Sequence, residues 1–233
     1  MIDTILVVVP AHDEEQLLPS CLASVRRAAE HPSLAATPVR VAVVLDRCSD
    51  GSGEQAVPLL RGGDVIVERR DGNVGAARRA GARTLLAGEV GRPLTDIWLA
   101  TTDADSRVPR DWLARQVRMA DAGADAVAGT ILIEDWREQP PATRNAFAAR
   151  YARGVALGEH RHVHGANLGA RASAYERVGG LAELPLAEDH ALIDALSACG
   201  ASIVRPHDLR VVTSARRESR APGGFGDYLR VLV

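Results

Sequence analysis

Short runs of aliphatic and β-branched residues alternate with amphipathic stretches through the first hundred positions, the pattern of strands buried on both faces and joined by crossover helices. Ile5-Leu6-Val7-Val8-Val9 reads as the first strand, ended by Pro10. Residues 14–28 place Leu17, Leu18, Leu22 and Val25 at helical spacing, so a helix is expected there. Residues 39–45 form the second expected strand, 65–68 a short third, 76–87 a helix and 97–100 the fourth strand. Beyond it the pattern predicts a helix over 110–122 with Trp112 and Leu113 inward, one strand over 126–133 and a helix over 140–156. Residues 165–171 read as irregular, and 187–200 as a last long helix. The alternation predicts an α/β fold, a doubly wound and mostly parallel sheet flanked by helices. With no repeat, low-complexity tract or linker, a single domain over residues 1–233 is expected.

Composition narrows the chemistry. A 233-residue chain with 46% hydrophobic side chains can bury a sizeable core. Its formal net charge of -2 offers no basic field of the kind that gathers nucleic acid. All 28 basic residues are arginine, which excludes mechanisms built on an amine nucleophile or a phosphate-loop lysine but leaves bidentate phosphate recognition open. Cys21, Cys48 and Cys199 are widely spaced and form no C-x-x-C pair, so a reducing compartment such as the cytoplasm is expected. No basic, cleavable leader is read at Met1, and no apolar stretch is long enough to span a bilayer.

Three expected strands end in acidic or turn-rich segments, where ligands bind in open α/β sheets. Pro10-Ala11-His12-Asp13-Glu14-Glu15 follows the first; its acids could also cap the helix it opens. Asp46 closes the second within Asp46-Arg47-Cys48-Ser49-Asp50-Gly51-Ser52, where a carboxylate can accept from a base or ribose, or Asp50-Gly51 can simply turn the chain. Asp103-Ala104-Asp105 follows the fourth, two carboxylates able to point the same way toward a hard divalent cation.

As an ordered set these motifs resemble family 2 glycosyltransferases. The likeness continues through Asn73-Val74-Gly75-Ala76-Ala77-Arg78-Arg79-Ala80-Gly81, then Gly165-Ala166-Asn167-Leu168-Gly169, then Glu188-Asp189, and covers nearly the whole chain. It implies a GT-A fold, Rossmann-like, with a nucleotide-sugar-binding half over 1–106 and an acceptor-binding half over 107–233. It further implies transfer of a sugar from a UDP- or GDP-type donor to an acceptor hydroxyl, with Mg²⁺ or Mn²⁺ as cofactor. On that resemblance Pro10, Ala11 and Glu14 would frame the nucleotide, Asp46 would bind the base, and Arg78 would lie near base or diphosphate. Asp103 would approach ribose or metal, and Asp105 would ligate the metal. Gly165, Ala166 and Asn167, with Glu188, would form the acceptor side, and Asp189 would be the base of an inverting reaction.

The third metal ligand has no counterpart. Relatives such as glucosyl-3-phosphoglycerate synthase and mannosylglycerate synthase carry a downstream histidine there, whereas residues 211–220 contain none, and His207 sits in an expected turn. Thr213-Ser214-Ala215-Arg216-Arg217 followed by Pro222-Gly223-Gly224-Phe225 reads as a loop whose arginines could meet phosphate, with Arg216 the candidate donor contact. His160, His162 and His164 alternate and would share one face, meeting an acidic acceptor or solvent equally, with a metal ranked last. Trp136 is a candidate for stacking on a sugar or for ordinary packing. Alternatives remain a retaining transferase like the two synthases, in which Asp189 would orient the acceptor, and a non-catalytic nucleotide-sugar-binding module. The acceptor is unassigned, peripheral membrane contact stays open, and the apolar run 225–233 offers a surface for a second copy.

Overall fold

The computed structural model describes residues 1–155, 160–218, 220 and 223–232, with side chains omitted at 153–155. In chain order the elements are β1 (Thr4–Ala11), α1 (Leu18–Ala29), β2 (Val39–Asp46), α2 (Ser52–Ala56), β3 (Val65–Arg69) and α3 (Val74–Ala87). They continue with β4 (Ile97–Thr101), α4 (Trp112–Asp121), β5 (Ala126–Ala128), β6 (Thr130–Leu132) and α5 (Pro141–Val155). The last are β7 (Leu168–Arg171), α6 (Ala172–Arg177), α7 (Glu188–Ala198), β8 (Ile203–Val204), β9 (Arg210–Val212) and α8 (Phe225–Arg230). Ala156, Ser219, Pro222 and Val233, named in the expectations above, lie outside the described residues.

A seven-stranded sheet runs in the order β3-β2-β1-β4-β7-β5-β8. Strands β1 to β4 pair in parallel, while β7 lies antiparallel between β4 and β5. The aliphatic runs at Ile5–Val9 and Val41–Val44 are essentially sealed because helices cover both faces of the sheet. One face packs on α1 and α4 through Leu18, Leu22, Val25, Trp112 and Leu113; the other packs on α3, α6 and α7 through Ala77, Leu85, Tyr175, Leu192 and Leu196.

Three expectations need correction. The helix predicted from residue 14 begins only at Leu18, because residues 13–15 are tied elsewhere: Asp13 is left-handed (φ 52°), Glu14 N donates to Ser52 Oγ and Glu15 N to Asp50 Oδ2. Those acids therefore do not cap α1, whose N-cap Leu17 makes no side-chain cap bond. The strand expected over 126–133 breaks at Gly129 into β5, in the main sheet, and β6, which pairs with β9 in a separate two-stranded sheet. Residue 129 is glycine because the Asn167 side chain fills the space of a Cβ there, its Nδ2 2.2 Å from that position. Residues 165–171, read as irregular, contain β7. Its Leu-Gly-Ala-Arg sequence is small because Gln116 Oε1 and the Trp98 indole occupy the space a side chain at 169 would need, at 2.0 and 2.6 Å.

Part of the apolar run near the C-terminus packs within the chain, while Val231 stays exposed. Leu229 is fully buried, and Phe225 meets the Phe147 ring of α5 edge-on at 5.9 Å. Trp136 likewise packs on Phe147 at 5.5 Å and donates Nε1 to Ile133 O. No helix of the described residues is long and apolar enough to cross a membrane.

Candidate functional site

A cleft of about 680 Å³ opens over the carboxyl ends of β1, β2 and β4. The sheet reverses its strand order at β1, since β2 and β3 lie on one side of it and β4 on the other. The loops leaving β1 and β4 therefore diverge and leave a crevice between them. Because β7 runs antiparallel with Leu168 opposite Thr101, its preceding residues 165–167 sit beside the outgoing end of β4. This single reversal brings residues about sixty positions apart onto one edge.

Pro10, Ala11, His12 and Glu14 line the cleft from β1 and Asp46 from β2. Both Asp46 oxygens are engaged, accepting from Gly72 N at 3.0 Å and Asn73 N at 2.8 Å. This carboxylate shapes the loop before α3 and retains a lone pair on each oxygen toward the cleft. His12 Nδ1 lies 2.7 Å from Asp46 O, closing the gap between β1 and β2.

At the end of β4 the two acids face different partners. Asp103 is paired with Arg78, whose guanidinium also pairs with the buried Glu188 and donates to Thr101 Oγ1 at 3.2 Å. Arg78 is 4% exposed, so it forms the floor of the cleft and ties a β4 acid to an α7 acid. Gly165 passes over it without a side chain; a Cβ there would lie 2.4 Å from Arg78 Nη2. Asp105 lies 3.4 Å from Arg216 and, on its other oxygen, 3.1 Å from Ser106 Oγ and 3.4 Å from Thr213 Oγ1. Burial pushes its pKa up to about 6, Arg216 working against this and the carboxylates of Asp103 and Glu14 adding to it. Arg216 makes a two-pronged pair with Glu14. Oxygen donors alone, crowded carboxylates and a hydroxyl, make a set suited to a hard divalent cation.

Opposite this cluster, Gly165 N donates to Asp189 Oδ2 at 2.7 Å and His190 N to Oδ1 at 2.8 Å. Ala187, left-handed at φ 60°, turns the chain so that Glu188 points down to Arg78 while Asp189 stays half-buried at the cleft wall. Gly165 and Ala166 line the cleft; Asn167 stands behind them, fully buried. Its Oδ1 accepts from Trp112 Nε1 at 2.9 Å and its Nδ2 donates to Thr130 O and Leu209 O, both at 2.8 Å. Both its amide hydrogens and its oxygen are thus engaged in joining β7's start to α4, β6 and the approach to β9.

The rim loop 182–187 is pinned to the start of α3, with Asn73 Nδ2 donating to Glu183 O at 3.0 Å and Gly75 N to Leu184 O at 3.1 Å. A Cβ on Gly75 would stand 2.2 Å from Ala182 O and 2.7 Å from Leu184 N, backbone atoms that cannot swing aside. Gly75→Ala is expected to cost about 1–3 kcal/mol, read as a lowered melting temperature with hydrogen-exchange protection lost first over 182–187.

Several lining residues have no signal of their own in the sequence. His12 and Thr213 sit beside recognised motifs, but Leu186, at the rim and 3.2 Å from a Cβ built on Gly223, is visible only in three dimensions. The alternating histidines do form a ladder, with His160, His162 and His164 successively stacked at 5.9 Å. Among the described residues, the one group of three or more side chains close enough to share a cation is Asp13, Cys48 and Asp50; neither these histidines nor Asp103 and Asp105 with Glu14 form one.

No curated protein matches the sequence. Among solved structures, mannosyltransferase PcManGT from Pyrobaculum calidifontis in complex with GDP-Man and Mn²⁺ superposes with a TM-score of 0.68 at 21% identity, over 93% of this chain and 58% of that one. TarS 1-349 of S. aureus in complex with UDP-GlcNAc gives 0.66 at 14%, over 95% and 61%. Glucosyl-3-phosphoglycerate synthase from Mycobacterium tuberculosis, in complex with Mg²⁺ and UDP, gives 0.60 at 18%, over 97% and 76%. The chain thus spans about three fifths of the first two, and all three share its GT-A fold. The model of glycosyl transferase family 2 matches residues 6–179. That match takes in the ends of β1, β2 and β4, Arg78 and the Gly165 turn, and it places this chain in glycosyl transferase family 2.

Proposed function

We propose that this domain transfers a sugar from a nucleoside-diphosphate donor to an acceptor hydroxyl with inversion. The observation that carries the reading is the pairing of two acid sets across one cleft, Asp103 and Asp105 at the end of β4 and Asp189 on the facing wall. Residues 1–106 supply the donor side and 107–233 most of the acceptor side, although Thr213 and Arg216 cross back to meet Asp105 and Glu14. Pro10, Ala11 and Asp46 frame the nucleotide, and Arg216 exchanges Glu14 for the donor diphosphate, a bidentate partner of the same charge. Asp105, with Asp103, would hold Mg²⁺ or Mn²⁺, as the metal-bound neighbours suggest. A cation there would offset the charge that develops on the departing diphosphate. Asp189, fixed by two backbone N–H groups and bearing free lone pairs, accepts the proton of the attacking hydroxyl.

Thermal stabilisation by UDP, GDP, ADP and dTDP, each with and without Mg²⁺ or Mn²⁺, tests the donor site. One nucleotide is expected to raise the melting temperature in a metal-dependent way, and Asp105→Ala to abolish the metal's part. Protons and the cation compete for Asp105, whose pKa is raised to about 6, so the metal-dependent increment should be full above pH 7 and shrink as pH falls through 6. Absence of any nucleotide shift would move the balance to a non-catalytic module.

A further inference from the structure

His164 lines the cleft on the same wall as Asp189, one residue before the Gly165 turn that holds that carboxylate. Behind it stands Tyr151 of α5, whose hydroxyl oxygen accepts from Ile131 N at 2.9 Å and lies 3.2 Å from His164 Nε2. His162 stacks on the Tyr151 ring with centroids 4.0 Å apart and planes 10° from parallel, its Nε2 3.3 Å from Tyr151 O. The phenol is therefore clamped on its ring face and at its oxygen. A phenol O–H is a better donor than a neutral imidazole N–H, and imidazole nitrogen is a better acceptor than phenol oxygen, so the shared proton sits on the tyrosine. Nε2 is then an acceptor and the imidazole proton must lie on Nδ1. Among the described residues Nδ1 has no protein partner.

We infer that His164, held by Tyr151 as its Nδ1–H tautomer, donates a hydrogen bond to the oxygen nucleophile and orients it toward Asp189. This rests on the transferase reading above and adds the residue that aims the acceptor. Asp189 can only accept and His164 can only donate, so the two together fix a hydroxyl or water by both its proton and its lone pair. Burial keeps the ring neutral, its pKa pushed down to about 4 even with Asp189 nearby. The donor is thereby an uncharged N–H that favours a neutral oxygen, with no formal charge to capture an anion.

Two readouts test this on the whole chain. Nitrogen-15 NMR of the imidazoles, with His164 assigned by its loss in His164→Asn, should find Nδ1 protonated and Nε2 bare, the less common histidine tautomer. In Tyr151→Phe the proton should move to Nε2. A wild-type His164 protonated at Nε2 would overturn the inference whatever the enzyme does. The second readout is nucleotide release from the glucose and mannose conjugates of the nucleotide that gives the thermal shift, with water as the only acceptor. His164→Ala should lose about tenfold in kcat at unchanged donor KM, the scale of one lost oriented hydrogen bond. His164→Asn, which keeps an N–H near the Nδ1 position, should recover most of it. Equal rates in the alanine variant and wild type, or equal losses in alanine and asparagine variants, would refute the orienting role. A wild type that neither binds nor cleaves any nucleotide sugar would instead sink the transferase reading, and the acceptor role with it, whatever tautomer is measured.

Discussion

Asp189→Asn will lower turnover by a hundredfold or more while leaving nucleotide stabilisation of the fold nearly unchanged. The substitution keeps the shape and one accepting oxygen for Gly165 N, so the wall of the cleft stays in place. What is lost is a group able to take the proton of an attacking hydroxyl, an effect on the order of 10²–10⁴ for positioned bases. Steady-state nucleotide release at saturating donor measures the loss, and thermal shift with the same nucleotide measures the retained affinity. A drop confined to kcat would mark an interaction made only in the transition state. Near-normal turnover would remove Asp189 from the base role and favour a retaining course in which it only orients the acceptor.

Arg78→Leu carries the largest expected effect on stability. Its guanidinium lies between Asp103 and Glu188, and Glu188 is only 4% exposed, so truncation strands a carboxylate away from water. Breaking one side of a buried pair typically costs about 3–5 kcal/mol. For a chain of this size each kcal/mol is worth roughly 2–4 °C in melting temperature, so a fall of about 10 °C is expected by scanning calorimetry. Adding Glu188→Gln should recover a good part of that fall, because the stranded charge is then gone. A single variant that melts within about 2 °C of wild type would mean that water reaches Glu188 and that the arginine is not the link between the two walls.

How much of this was legible in one sequence depended on whether the cause was local. The aliphatic runs of β1 and β2 announce strands because both of their faces are covered, and the acids at their ends stand out against them. Asp103 and Asp105 are weaker signals taken alone, and they gain weight only as part of the ordered set of motifs at three strand ends. By contrast β7 was invisible: its small residues are demanded by Gln116 and Trp98, which arrive from other elements. The glycine at 129 is demanded by a side chain 38 positions away, and no window of local periodicity contains both. The partners of Arg78, Glu14 and His164 are hidden for the same reason. Residue type fixed what each could do, whereas only the fold decides that Arg78 faces Glu188, that Glu14 holds Arg216, and that His164 leans on Tyr151. Asn167 shows the converse, a motif residue whose side chain is engaged at both ends by architecture.

The three bonds of Asn167 also limit which parts of the cleft can move together. They fasten the start of β7 to Thr130 O beside β6 and to Leu209 O beside β9, so the small sheet cannot swing outward as a body without breaking them together. The segment that carries Arg216 begins just past β9, after the Arg107–Val212 bridge. If Arg216 holds a donor diphosphate as proposed, the motion that releases it is thereby confined to residues 213–218. Such stretches move in nanoseconds to microseconds, against microseconds to milliseconds for hinged domains. Product departure should accordingly be fast relative to chemistry, giving linear progress curves with no initial burst, and a solvent-viscosity increase should leave kcat unchanged.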